Sequence, residues 1–194
     1  PYLKNSYYQT TNWPFNVYIF KGKMEKIELE EANIYGAGFT DFYEKNLGID
    51  EIQPLDKTKI NILIMHATLD GAESQEMLYN PVSKKVLEEK GFDYVALGHI
   101  HKTNYGEKTN DRMIYPGSTI SFGFDELGEH GIILGEVTKQ AYQAQFLKLD
   151  KRTFVEKEID ITQIASMEEL IECLNKKELQ ENTENKIILI GKRK

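Results

Sequence analysis

Short apolar runs recur along the chain between polar connections, and their spacing predicts the elements. Residues 15 to 35 alternate as strands do. Phe15, Val17 and Ile19 precede a Lys21-Gly22-Lys23 turn, and Ile27 and Leu29 follow it. Asn33 to Phe39 reads as another strand ending in small residues, and Tyr43 to Asp56 as a polar connection or a short helix. Lys59 to Met65 is apolar without alternation, which predicts a central parallel strand. A helix start is predicted at Asn80. Pro81 suits its first turn, Val82, Val86 and Leu87 give one apolar face, and Gly91 is the stop. Tyr94 to Gly98 is the next strand, so 59–98 reads as one βαβ-like unit.

Beyond His101 the pattern changes. Met113-Ile114-Tyr115 leads into a Pro116-Gly117-Ser118 turn. Gly131 to Val137 and Ala141 to Leu149 read as antiparallel strands joined at Thr138-Lys139-Gln140, and Arg152 to Ile161 alternates again. Ser166 and Glu169 form a capping-box pattern ahead of Met167, Leu170, Ile171 and Leu174. Residues 175 to 185 read as a polar loop and Ile187 to Ile190 as a last strand. The expected fold class is α/β. Residues 151 to 194 form a separate strand, helix, strand segment too small to own a core. Its helix is expected to turn Met167, Leu170, Ile171 and Leu174 toward strands 154–161 and 187–190.

Composition narrows the class. An apolar fraction of 40% is somewhat low, but 11 Tyr and 9 Phe argue against disorder; mean hydropathy is -0.50. The net charge of -7 lacks the broad basic footprint of a protein that only binds nucleic acid. Phosphate substrates stay open, because bound divalent metals supply a positive field. Cys173 is the only cysteine, so it forms no internal disulfide or cysteine metal cluster and reads as a helix packing residue. The chain opens on proline with no charged-then-apolar leader, and no apolar run is long enough to span a bilayer. A cytoplasmic location is expected.

The candidate chemistry lies in the histidines. Gly98-His99-Ile100-His101 follows one apolar strand, and residues two apart in extended backbone point the same way. His66 ends the strand before it. Three of four histidines thus stand at C-terminal strand ends, where open α/β sheets place ligand sites. Neutral imidazole is the commonest metal ligand. His66, His99 and His101 are the candidate metal ligands, against the alternative of loop histidines bonded to backbone.

Three stretches carry a family resemblance: Ile64-Met65-His66-Ala67-Thr68-Leu69-Asp70-Gly71, Phe92 to Lys102 with its Gly-His-Ile-His, and Ile114-Tyr115-Pro116-Gly117-Ser118-Thr119-Ile120 followed by Phe122 to Gly131. On them the chain resembles the calcineurin-like metallophosphoesterases. Within these it is similar to the SbcD-type DNA repair exonucleases, and most to their YhaO-like branch. The resemblance covers most of residues 1 to 150. It implies the C-terminal half of a metallophosphoesterase β-sandwich flanked by helices, with 151–194 as the start of a small α+β capping domain. It further implies two divalent ions, Mn²⁺ in the intact enzyme, with His66 and His99 on one and His101 on the other. The family's Asp-X-His, Gly-Asp and Gly-Asn-His-Asp motifs do not occur here. The catalytic residues are therefore expected outside this chain, and the chain alone is expected to be inactive. Implied partners are DNA, an SMC-like ATPase and a second copy of the protein, with no membrane. Two other functions stay open: a small-substrate phosphoesterase acting on cyclic nucleotides or phosphoproteins, and a non-catalytic scaffold.

Other residues have plainer readings. His130 reads as a turn or surface residue, Asp93 as a surface residue or cap, and Ser118 as part of a turn, with approach to a phosphate as its alternative. Asp70 reads as a turn residue or as a support to His66. Tyr2, Tyr7, Tyr8 and Trp13 are expected to pack beneath a sheet edge, with base stacking as the alternative. Lys186, Lys192 and Arg193 are the basic groups available to DNA.

Overall fold

The apolar run at residue 60 becomes the middle of a sheet because hydrogen-bonding strands flank it on both sides. The computed structural model describes residues 3–42, 44, 46–70, 80–106, 111–176 and 182–192. Their elements run α1 (Tyr7–Thr10), β1 (Glu25–Glu28), β2 (Ala32–Gly36), a 3₁₀ turn (Ile49–Glu51), β3 (Ile60–His66), β4 (Thr68–Leu69), β5 (Pro81–Val82), α2 (Lys84–Lys90), β6 (Tyr94–Gly98), β7 (Met113–Ile114), β8 (Gly131–Val137), β9 (Tyr142–Lys148), β10 (Thr153–Asp160), α3 (Met167–Asn175) and β11 (Thr183–Ile190). The class is mixed α/β, as the patterning implied. The described residues form two compact units, Pro1–Gly117 with Ile133–Phe146, and Ser118–Ile132 with Leu147–Lys194. Contacts thus group 118–132 and 147–150 with the residues after 150. Tyr2, Gly71 and Arg193 lie outside the described residues.

In the first unit five strands are ordered β1-β2-β3-β6-β7. β1 pairs antiparallel to β2, and the pairs β2-β3, β3-β6 and β6-β7 are parallel. Leu63 and Met65 of β3 and Val95 and Leu97 of β6 are buried with Tyr35, Leu87 and Phe92 in one core. The opposite face is thinner. Ile64 is 45% exposed, so β3 alternates in burial although its residue types do not. Parallel pairing of β3 and β6 puts both strand ends at the same edge, which is what places two histidines together.

Several elements depart from expectation. Residues 15–19 form no strand, and Phe15 is fully exposed. Within that stretch only Glu25–Glu28 and the start of β2 pair. The helix begins at Lys84 behind Ser83 rather than at Asn80, because Pro81–Val82 instead pairs with Thr68–Leu69. Gly91 closes the helix in the left-handed conformation, as predicted. The Asp70 carboxylate accepts the Lys84 backbone N–H at 2.8 Å, so it satisfies this helix start from a distance. Asp93 is no surface residue. It is buried, accepts the Asn61 N–H at 2.8 Å and pairs with Lys139 at 2.8 Å. Asn33 donates to Asn61 at 3.1 Å beside it. A polar network thus locks the sheet edge opposite the histidines.

In the second unit β10 and β11 pair in parallel from Thr153↔Thr183 to Asp160↔Ile190, so the last strand starts four residues before the expected Ile187. Ser166 Oγ accepts the Glu169 N–H at 3.2 Å, and the Glu169 carboxylate accepts the Ala165 N–H at 2.7 Å. The predicted cap therefore forms. The helix face does not close as expected. Met167 and Ile171 are 59% and 50% exposed, and α3 buries no residue. His130 is buried rather than superficial. Its Nδ1 lies 2.7 Å from Ser118 Oγ, its Nε2–H donates to the Glu126 carbonyl at 3.1 Å, and its own N–H donates to Asp150 at 3.1 Å. No helix among the described residues is long and apolar enough to cross a membrane.

Candidate metal centre

His66 closes β3 and pairs across with Gly98, the last residue of β6. The imidazole leans over Gly98, where a Cβ would stand 3.1 Å from His66 Nδ1. Glycine there leaves the ring its place. The chain then turns at His99 with φ 103°, a region that residues bearing a Cβ rarely adopt. The turn brings the two rings to a centroid distance of 5.0 Å at 67°. Extended alternation is thus not what aligns His99, because β6 has already ended. A left-handed residue held at a candidate site stores about 1–3 kcal/mol of backbone strain.

Both imidazoles titrate below the ordinary histidine range. Burial is the main cause for each. His66 is further lowered by the charges of His99 and His101, and His99 by that of His101. His101 itself is exposed. The shifts favour the neutral rings that metal coordination needs. Among the described residues, however, no group of three or more His, Cys, Asp or Glu is disposed to hold a metal ion. His66 and His99 meet, and His101 reaches them through its charge. The donor chemistry fits part of a metal centre, and a complete coordination sphere requires further ligands.

Neighbouring side chains hold this arrangement. The Phe39 ring meets His66 edge-on at 5.4 Å. Buried Asn80 donates to the His66 carbonyl at 3.5 Å. The Tyr115 hydroxyl donates to the Ala67 carbonyl at 2.8 Å and accepts the Leu69 N–H at 3.1 Å, which anchors the segment leaving His66. Tyr115 also grips the loop after His101. Its carbonyl accepts from Thr103 Oγ1 at 3.0 Å, and its N–H donates to Asn104 Oδ1 at 2.8 Å. Gly117, at φ 83°, lets the chain pass His101, since a Cβ there would meet the His101 carbonyl oxygen at 2.7 Å.

Sequence reasoning did not single out Phe39, Thr103, Asn104 or the Tyr115 side chain. The signal for Tyr115 was its place in the resemblance stretch from Ile114 to Ile120, beside the Pro116-Gly117-Ser118 turn. Tyr7, Tyr8 and Trp13 are exposed rather than packed beneath a sheet edge, and Tyr8 stacks on Trp13 at 6.4 Å. Lys186 is engaged by Glu156 at 2.7 Å, whereas Lys192 is exposed.

No protein-family model matches the chain. It is 29% identical over 168 residues to the uncharacterized metallophosphoesterase YhaO of Bacillus subtilis (strain 168), across 84% of this chain and 41% of that relative. The chain therefore spans less than half the length of the relative it matches.

Proposed function

We propose that the chain supplies the C-terminal half of a calcineurin-like metallophosphoesterase domain within residues 1–150, and that 151–194 begin a capping domain. The intact protein would be a metal-dependent phosphodiesterase, with DNA ends as substrate in the manner of an SbcD-type exonuclease. One observation carries the reading. Two imidazoles stand 5.0 Å apart at the ends of adjacent parallel strands, in a chain similar to a metallophosphoesterase. His66, His99 and His101 would hold the ions, and the carboxylate ligands would come from outside the chain. Divalent ions, Mn²⁺ in this reading, supply Lewis acidity toward the phosphate and lower the pKa of a bound water. The residues of this chain orient that centre: Gly98 and Phe39 set the His66 ring, and Tyr115 ties together the two segments that follow the histidines. An SMC-like ATPase, a second copy of the protein and a cytoplasmic setting complete the proposal.

The test uses full-length protein with Mn²⁺, linear duplex DNA and bis(4-nitrophenyl) phosphate. Cleavage of both substrates by the wild type, lost in His99→Ala, is the expected result. Turnover of the small diester with intact DNA would favour the small-substrate alternative. Activity unaffected by His99→Ala would remove these histidines from the site.

A further inference from the structure

A cavity of about 310 Å³ opens beside β1 and β2. Lys26 and Tyr35 line it from the strands, and Glu51, Ile52, Gln53 and Asp56 line it from the segment that leads to β3. That segment is fixed at two points. Lys90 donates to the Ile52 carbonyl at 3.0 Å, and buried Asn61 donates to the Asp56 carbonyl at 2.8 Å. The wall is therefore formed before any ligand arrives. Tyr35 stands opposite Lys26 in register, so both side chains leave the same face of the sheet. Tyr35 is only 7% exposed, and its ring meets Phe92 edge-on at 5.5 Å. Its hydroxyl makes no hydrogen bond among the described residues. Burial holds the phenol above its ordinary range, so it stays neutral and can both donate and accept. A buried hydroxyl left unpaired is costly, and this one borders the cavity.

We propose that this cavity binds an alkylguanidinium group, held by the Glu51 and Asp56 carboxylates and the Tyr35 hydroxyl. The proposal stands apart from the histidine edge and does not rest on the phosphodiesterase reading. Asp56 takes the Thr58 N–H and hydroxyl on Oδ1 alone, at 2.9 Å and 2.6 Å, which leaves Oδ2 for a ligand. The same hydrogen bonds hold its carboxyl below the usual carboxylate range, so it is ionised. Glu51 lies 3.5 Å from Lys23, an exposed pair that water screens. Lys26 is held by Glu28, and Glu25 already accepts the Tyr18 hydroxyl and the Lys21 N–H, each at 2.6 Å. Separate acceptors around a small space suit a planar fork of five N–H donors better than a compact ammonium, and guanidinium is the more weakly hydrated cation. Among the described residues no group of three or more His, Cys, Asp or Glu is disposed to hold a metal ion. Met24, Ile52 and Pro54 supply apolar surface for the alkyl stem.

The experiment titrates full-length protein, without added metal, with N-acetyl-L-argininamide and N-acetyl-L-citrullinamide by calorimetry. The two ligands match in size and differ in a guanidinium against a neutral urea. Wild type should bind the argininamide about tenfold more tightly or better, as charge-assisted hydrogen bonds contribute. In Glu51→Gln and in Asp56→Asn that ratio should fall toward one. Glu51 is exposed, so its variant tests the cavity without threatening the fold. Tyr35→Phe keeps the ring against Phe92. It should weaken argininamide binding severalfold yet unfold thermally no lower than wild type, because the hydroxyl it removes has no hydrogen-bond partner among the described residues. A wild-type ratio near one, no saturable binding at millimolar ligand, or a ratio unchanged in both carboxylate variants overturns the site. Argininamide affinity unchanged in Tyr35→Phe removes the hydroxyl from it and overturns the proposal as stated. A titration with agmatine separates two sources of the same group. Tighter binding than the argininamide assigns the site to a free small cation, and equal or weaker binding assigns it to an arginine side chain of a polypeptide.

Discussion

The Tyr115 hydroxyl donates a 2.8 Å hydrogen bond to the Ala67 carbonyl, joining residues 48 positions apart at the point where the chain leaves His66. The same oxygen accepts the Leu69 N–H, so one buried side chain satisfies two backbone groups of this segment. This makes Tyr115 a positioning residue for the histidine edge.

Tyr115→Phe should therefore cost about 1–3 kcal/mol, the range for stranding buried polar partners. Urea unfolding measures that loss. Metal affinity in full-length protein should fall with it, because both segments after the histidines loosen. A variant equal to wild type in both respects would show that water replaces the hydroxyl at no cost.

His99 gives a second prediction. His99→Ala and His99→Gly both delete the imidazole, but only alanine keeps a Cβ at φ 103°. The glycine variant should be the more stable of the two by about 1 kcal/mol. Thermal unfolding of the pair checks this. Equal stabilities would mean that the turn relaxes once the ring is gone.

Asp93 is the third. It is buried, with one backbone donor at Asn61 and one cation at Lys139. Asp93→Ala should destabilise the protein by about 2–4 kcal/mol, since it strands both partners. The loss should appear in urea unfolding while the Mn²⁺ affinity proposed for full-length protein stays unchanged, because the network lies at the opposite end of the strands.

Tyr94 sets an alkaline limit. Burial, together with the charges of Tyr142 and Tyr105, pushes its phenol up to about 12 from 10.0. The folded pKa lies above the unfolded one, so the fold favours the neutral phenol. That contribution is fully present below pH 10.0 and is lost as pH rises toward about 12. Tyr94→Phe should flatten the fall in stability across that window, as followed by denaturation at stepped alkaline pH.

The sequence by itself determined the elements whose signals are local. The apolar run at 60–66, the strand at 94–98, the Gly91 stop and the Ser166–Glu169 cap all formed where their residue types placed them. Local backbone and side-chain preferences are enough for these. It also put His66 and His99 at strand ends, because an apolar run that stops at a polar residue marks its own boundary. Tertiary structure decided what depends on a distant partner. Asp93 and His130 carry no sequence mark of burial; Lys139 lies 46 positions from Asp93 and Ser118 twelve from His130. Residues 15–19 alternate as a strand would, yet no neighbouring strand pairs with them. Asn80 has the chemistry of a helix cap and instead reaches the His66 carbonyl, because Pro81 and Val82 are drawn into pairing with Thr68 and Leu69. The left-handed turn at His99 is of the same kind. A histidine does not choose φ 103° by itself, and only the packed sheet edge around it sets the imidazole beside His66.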